Sequence, residues 1–185
     1  LAGLIWLQVP SFAARGWQTL QILPTASGNI HDQQMQMARF LRQYYNGQTI
    51  ALNDVGAVNF FGDFHCLDLY GLASMPVARA KRAGALTADV LEHLTRQQGV
   101  RVVFCYAQWL TGALPPSWIP VAQWGIADNV ICGGNVVSIY AVGPAQAALL
   151  RQHLTQFAPP CPPERASAWP RRPNKQRFSR SSLRS

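Results

Sequence analysis

Asp54 and Asp68 are the side chains of this sequence best placed to do chemistry. Each stands just past an apolar run and just before a glycine, in TIALNDVG (49–56) and CLDLYG (66–71). A carboxylate in that setting can accept hydrogen bonds from sugar hydroxyls, or coordinate a divalent cation together with Asn53. Equally, it can bind the backbone amides of its own turn. Gly56 and Gly71 are expected to permit positive φ or close backbone approach. The carboxyl ends of strands in an open α/β sheet border the crevice where ligands bind, so the two motifs mark a place without naming a ligand. An acid and base pair for glycoside hydrolysis would need a defined carboxyl separation, which sequence spacing does not supply. His31 and His65 are expected near the end of the first strand, as binding, solvated or capping residues. Trp109, Trp118 and Trp124, with Tyr106 and Tyr140, offer either an aromatic platform for a sugar ring or core packing.

The spacing of apolar residues predicts the elements that position these groups. Asn29 reads as the N-cap of a helix with Asp32 in its first turn. Its apolar face is Ile30, Met37, Ala38, Leu41 and Tyr45, and Gly47 ends it. Thr49 to Leu52 is a strand, and Ala57 to Phe61 and Cys66 to Leu69 read as two more around a Gly62-Asp63 turn. Met75 to Ala83 reads as a short basic helix, and Thr87 to Gln98 as a longer one capped by Thr87. Val100 to Tyr106 is hydrophobic almost throughout, which predicts a strand buried on both faces. Trp118 to Trp124 and Val136 to Val142 are further strands. Asn129 to Asn135 supplies the turn between them, and Pro144 opens a last helix reaching Phe157. Helices alternate with strands. The expected fold class is therefore α/β: a single layered domain with a mostly parallel central sheet that leaves room for an antiparallel edge, helices packed on it and a disordered C-terminal tail.

Composition bounds the remaining possibilities. At 185 residues and 49% hydrophobic content the chain can bury one ordinary core. Its net charge of +8 is concentrated at one end: residues 159–185 hold seven Lys or Arg and one Glu. The rest is nearly neutral and gives no electrostatic reason to expect nucleic acid. That terminal stretch is rich in Pro, Ser and Arg, with too few apolar groups to offset ordering entropy. Cys66, Cys105, Cys132 and Cys161 form no CxxC pair, and no histidine has zinc-finger spacing, so no metal is expected. Buried thiols are one reading of them, and a Cys66–Cys105 or Cys105–Cys132 disulfide is another. No phosphate-binding glycine loop and no cofactor motif occurs.

The motifs GNIHDQQMQMARFLRQYY, IALNDVGAVNFF, LDLYGL and ARAKRAG, spanning roughly Gly28 to Val142, carry a resemblance. They resemble the C-terminal soluble region of bacterial polytopic GT-C-type glycosyltransferase-like membrane proteins, relatives of protein mannosyltransferases and aminoarabinose transferases. The resemblance implies that LAGLIWL is the exit of a membrane helix, which Trp6 and Trp17 at an interface would suit. Residues 1–27 are then the end of that helix and a linker, 28–158 the α/β domain, and 159–185 the tail. It further implies an extracytoplasmic accessory domain at the bacterial inner membrane, facing the periplasm or cell exterior. The partners would be the membrane-embedded part of the same protein and a glycan or lipid-linked sugar. The catalytic carboxylate of such enzymes lies in a first extracytoplasmic loop, so no catalytic residue transfers to this chain. Candidate substrate-binding residues are Asn53, Asp54, Gly56, Asp68, Gly71 and His31. The alternative is an independent soluble α/β enzyme or sugar-binding domain with its site at Asp54 and Asp68.

Overall fold

The computed structural model describes residues 2–157 and the pair 178–179, with side chains from Pro10 to Phe157. The chain opens with a helix, α1 (Ala2–Ile30), which passes through a π-helical turn (His31–Met35) into α2 (Gln36–Tyr45). The expected N-cap at Asn29 is therefore corrected: Asn29 is helical, and its side chain does other work. Its Nδ2 donates to the Ala127 carbonyl at 3.3 Å and its Oδ1 accepts from Val130 N–H at 2.9 Å. A capping residue satisfies amides of its own helix, whereas this one ties α1 to a loop about a hundred positions on. Between residues 10 and 24 every residue of α1 is exposed, including Phe12, Trp17, Leu20 and Leu23. No helix among the described residues is long and apolar enough to cross a membrane.

Beyond α2 the order is β1 (Thr49–Leu52), α3 (Gly56–Phe61), β2 (His65–Asp68), α4 (Met75–Arg82), α5 (Ala88–Gln97) and β3 (Val102–Cys105). A 3-10 turn at Ala107–Leu110 follows, then β4 (Trp118–Gly125), β5 (Val136–Val142) and α6 (Pro144–Gln156). Thr87 caps α5 as expected, its side chain accepting from Val90 N–H. The stretch Ala57–Phe61, expected as a strand, is helical instead. Parallel neighbours β1 and β2 need a crossover between them, and a helix satisfies its own backbone groups while making that connection. Only Val58 of α3 is buried, whereas Phe60 and Phe61 face outward.

The sheet runs β2-β1-β3-β5-β4, with a two-residue strand, β6 (Phe178–Ser179), pairing along the outer edge of β4. The expectation of a mostly parallel sheet is corrected to a mixed one. β2, β1 and β3 are parallel, whereas β5 is antiparallel to both β3 and β4. β4 and β5 are joined directly by the loop 126–135, and a direct return gives antiparallel strands; β5 rather than β4 then lies beside β3, which brings the antiparallel pairing to the middle of the sheet. Apart from β6, the tail expected to be disordered lies outside the described residues.

Alternating strand residues feed two apolar layers. Ile50, Leu52, Val102 and Phe104 point to the face covered by α2 and α6, while Ala51, Leu67, Val103 and Cys105 point to the face covered by α4 and α5. All four residues of β3 are buried, as its unbroken apolar run predicts. Phe40 is the hub of the first layer, with ring centroids 5.8 Å from Phe104 and 5.3 Å from Phe157. Removing such a ring from a core costs about 3–5 kcal/mol. The two layers clamp β1 and β3 side by side, and the functional candidates project from the carboxyl ends of those strands.

Candidate functional site

At the end of β1 the side chain of Asn53 acts as a backbone substitute. Its Oδ1 accepts from Tyr106 N–H at 3.0 Å and its Nδ2 donates to the Tyr106 carbonyl at 3.1 Å, so the first residue past β3 is gripped from both sides. This pins the Tyr106 ring, which is buried, beneath the crevice. Its hydroxyl donates to Gln33 Oε1 at 2.7 Å, accepts from Gln34 Nε2 at 3.0 Å, and lies 3.4 Å from Asp54 Oδ2. Gln34 Nε2 also donates to that same Asp54 oxygen at 2.9 Å.

Both glutamines come from the π-helical turn between α1 and α2. Such a turn widens the helix and re-aims its side chains, and it recurs at functional sites. Here it sends two successive polar residues, Gln33 and Gln34, into the interior, where they are 0% and 2% exposed. Gln33 Nε2 donates to the Gly134 carbonyl at 3.1 Å, which draws the β4–β5 loop over the site. A Cβ at Gly133 would stand 2.5 Å from the Trp109 ring and 2.6 Å from the Tyr106 ring. Only glycine lets this backbone lie flat against the two aromatics.

Trp109, on the 3-10 turn, extends the cluster outward. Its ring centroid lies 5.0 Å from that of Tyr106 and 5.2 Å from that of Tyr70. The Lys81 ammonium sits 3.2 Å from the centre of the Tyr70 ring, a cation–π contact that holds the far end of the row. Trp109 and Tyr70 are 41% and 38% exposed, so this aromatic ledge is partly open to solvent.

Asp68 supports the ledge from beneath. The carboxylate is buried, and its oxygens accept from Tyr70 N–H at 2.8 Å and Ala73 N–H at 2.6 Å. It therefore shapes the loop that presents Tyr70. Gly71 in that loop has φ of +90°, and a Cβ there would lie 2.9 Å from the backbone of Ala78. Gly56 differs: its φ is not positive and its Cβ position is open space. His31 bonds Asp32 Oδ1 at 2.9 Å and lies 3.3 Å from Gln36 Nε2, with no hydrogen bond to Asp54. His65 pairs with Thr49 at the opposite end of the strands and so stands away from the site. Of the expected aromatic platform, Trp118 and Trp124 are core residues, and Tyr140 packs on Trp118. Tyr106 and Trp109 alone reach the crevice.

Burial, reinforced by the Asp54 charge, pushes the Tyr106 hydroxyl well above its ordinary pKa. The same two causes raise the Cys132 thiol to about 11. Burial raises Cys105 to about 12, and burial with the Asp68 charge contributes to raising Cys66 to about 11. These thiols are protonated at neutral pH and are weak nucleophiles. Cys66, Cys105 and Cys132 are all free, and neither expected disulfide forms: β1 separates Cys66 on β2 from Cys105 on β3. Cys161 lies outside the described residues. One acceptor at the centre remains available, Asp54 Oδ1, which takes no hydrogen bond from the described residues, while Gln34 Oε1 is sealed in the interior without a partner.

The sequence singled out Asp54 and its neighbours but passed over Gln33, Gln34 and Tyr70. A signal was present: three glutamines, 33, 34 and 36, occupy positions on the buried side of a helix where apolar residues would otherwise stand.

Fold and site together define a layered α/β domain with a mixed sheet and, at the ends of β1 and β3, a polar side-chain cluster bordered by aromatic rings. Residues 28–140 match the model of a family described as a domain of unknown function (DUF8728), and the chain belongs to that family. No curated protein and no solved structure matches the chain.

Proposed function

We propose that this domain binds a glycan at the Asp54 crevice and is a non-catalytic accessory domain of a membrane glycosyltransferase-like protein that uses a lipid-linked sugar donor. The observation that carries the reading is the juxtaposition of an unfilled acceptor, Asp54 Oδ1, with the part-exposed indole of Trp109, both joined through Tyr106. A sugar ring offers the matching surfaces: hydroxyls that donate to a carboxylate, and an apolar face of C–H groups that stacks on an aromatic ring.

The membrane partner is supported by α1. Its exposed stretch presents Phe12, Trp17, Leu20, Ile22 and Leu23 to solvent and carries a single charge, Arg15. Exposed apolar surface of that extent marks an interaction site. In this proposal it packs on the membrane-embedded part of the same protein at the bacterial inner membrane, and the domain faces the periplasm or cell exterior.

Titrating the chain with a panel of soluble oligosaccharides, read by calorimetry and tryptophan fluorescence, tests the binding claim. Wild type should bind at least one glycan saturably with a change in Trp emission. Asp54→Ala and Trp109→Ala should each weaken that binding at least tenfold while keeping the wild-type circular dichroism spectrum. Binding that survives both substitutions would place the ligand elsewhere and sink the reading.

A further inference from the structure

A hollow of about 180 Å³ lies on another part of the same helical stretch and is lined by Met35, Arg39, Arg42 and Phe61. Met35, Arg39 and Arg42 recur at i, i+4 and i+7, so they share one face of the helix. Phe61, the last residue of α3, closes the opposite wall. Neither arginine forms an ion pair with any described residue; the pairs present are His31–Asp32 and Arg96–Glu92. Two like charges one turn apart repel, by a few tenths of a kcal/mol. A compact anion between them would turn that repulsion into attraction.

We infer that this hollow is a binding site for a phosphate monoester carried on an apolar group. The oxyanion follows from the two guanidinium groups. Each is a planar fork of donors suited to bidentate contact, and together they match a group with three terminal oxygens and a charge near −2 better than a carboxylate with two oxygens and one charge. The apolar part follows from the walls. Met35 contributes a thioether, and Phe61, 40% exposed and held edge-to-face by Phe60 with centroids 4.9 Å apart, contributes an aromatic ring. A ring that open has apolar surface to offer a ligand. The site shares no residue with the Asp54 crevice, so it stands or falls independently of glycan binding.

Phenyl phosphate is the soluble probe and inorganic phosphate its control, each titrated into the full chain and followed by calorimetry at low ionic strength. Phenyl phosphate should bind saturably, at least fivefold tighter than inorganic phosphate, and weaken as salt rises. The double variant Arg39→Gln/Arg42→Gln should bind it at least tenfold more weakly. Arg42 is exposed and Arg39 half-buried, so a wild-type melting curve is expected for this variant. Phe61→Ser should abolish the preference for the phenyl ester but leave the inorganic ion unaffected. A parallel arm with vesicles of phosphatidylcholine containing phosphatidic acid separates the sources. Arginine-dependent capture by these vesicles without binding of phenyl phosphate assigns the anion to a lipid headgroup, and the converse assigns it to a soluble ester. The site is overturned if neither probe binds, or if the double variant binds as wild type does. Equal affinity for the phenyl ester and the inorganic ion would overturn the apolar half of the assignment.

Discussion

The turn after β1 and the turn after β2 begin alike, each with an aspartate at the carboxyl end of a parallel strand and a glycine within three positions, yet their carboxylates have different partners. Asp68 is buried and both its oxygens are occupied by backbone amides from two and five residues ahead. Asp54 is half-buried, and its one bonded oxygen meets side chains 20 and 52 positions away. A carboxylate bound to amides of its own turn fixes a loop, because the groups it satisfies travel with it. A carboxylate held by distant side chains is presented to a crevice instead. The nature and sequence separation of the partners, more than the local motif, separate a shaping residue from a binding one.

That distinction predicts unequal costs when each carboxylate is removed. Asp68→Ala strips a charged acceptor from two amides in one step, and should lower the unfolding free energy by about 2–4 kcal/mol. Asp54→Ala loses side-chain contacts at a position water can reach, so its cost should stay under about 1.5 kcal/mol. Urea denaturation of the two variants in parallel measures the gap. Equal destabilisation would mean that both aspartates are structural, and the glycan proposal would lose its central residue.

The neighbouring glycines sharpen the same contrast. Gly71→Ala forces a side chain into positive φ and against the Ala78 backbone, a strain of about 2–3 kcal/mol. Gly56→Ala meets open space at the first residue of α3 and should be neutral, or stabilising by up to about 1 kcal/mol through reduced freedom of the unfolded chain. Thermal melts of both variants give the ordering. A Gly56→Ala variant that melts well below wild type would show that the β1 turn is as tightly constrained as the β2 turn.

Most of the elements were legible in the sequence because burial imposes a period. β5 spans the expected Val136–Val142, and α4, α5 and α6 begin and end within about a residue of their signals. The errors share a cause: local signals were answered by distant parts of the fold. Asn29 looked like a cap but is spent on the β4–β5 loop. The Phe60-Phe61 pair looked like a strand, although a crossover was needed there and the rings face outward. Sheet direction depended on strand order: the turn at 129–135 makes β4 and β5 antiparallel as it should, but that β5 also inserts beside β3 is a matter of topology rather than of any residue type. At the site, Asp54 was visible because it follows a strand. The Gln33–Gln34–Tyr106 network was not, since it depends on a π-helical turn and on contacts across 72 or 73 positions. Gly71 was expected to need positive φ and has it, whereas Gly56 was expected to need a special conformation or close approach and has neither.

The smallest expected effect concerns pH, and it decides the conditions under which the two turns can be compared. His153 on α6 stacks on Tyr44 with ring centroids 4.3 Å apart, and its Nδ1 lies 3.2 Å from the Tyr45 hydroxyl. Burial pulls its pKa below the ordinary 6.5. The folded protein thus holds a neutral imidazole in a range where the unfolded chain has already bound a proton. Stability must rise with pH wherever the unfolded state binds more protons. This contribution is therefore fully present above about pH 6.5 and is lost as pH falls from there through the lower folded pKa. His153→Gln should flatten that part of the stability–pH curve. Because His153 lies on α6, away from both turns, its loss should subtract equally from the Asp68→Ala and Asp54→Ala variants and leave the difference between them unchanged from pH 8 to pH 6. A gap that closes over that interval would mean that α6 and one of the turns are coupled, and that the two turns are not independent parts of one sheet end.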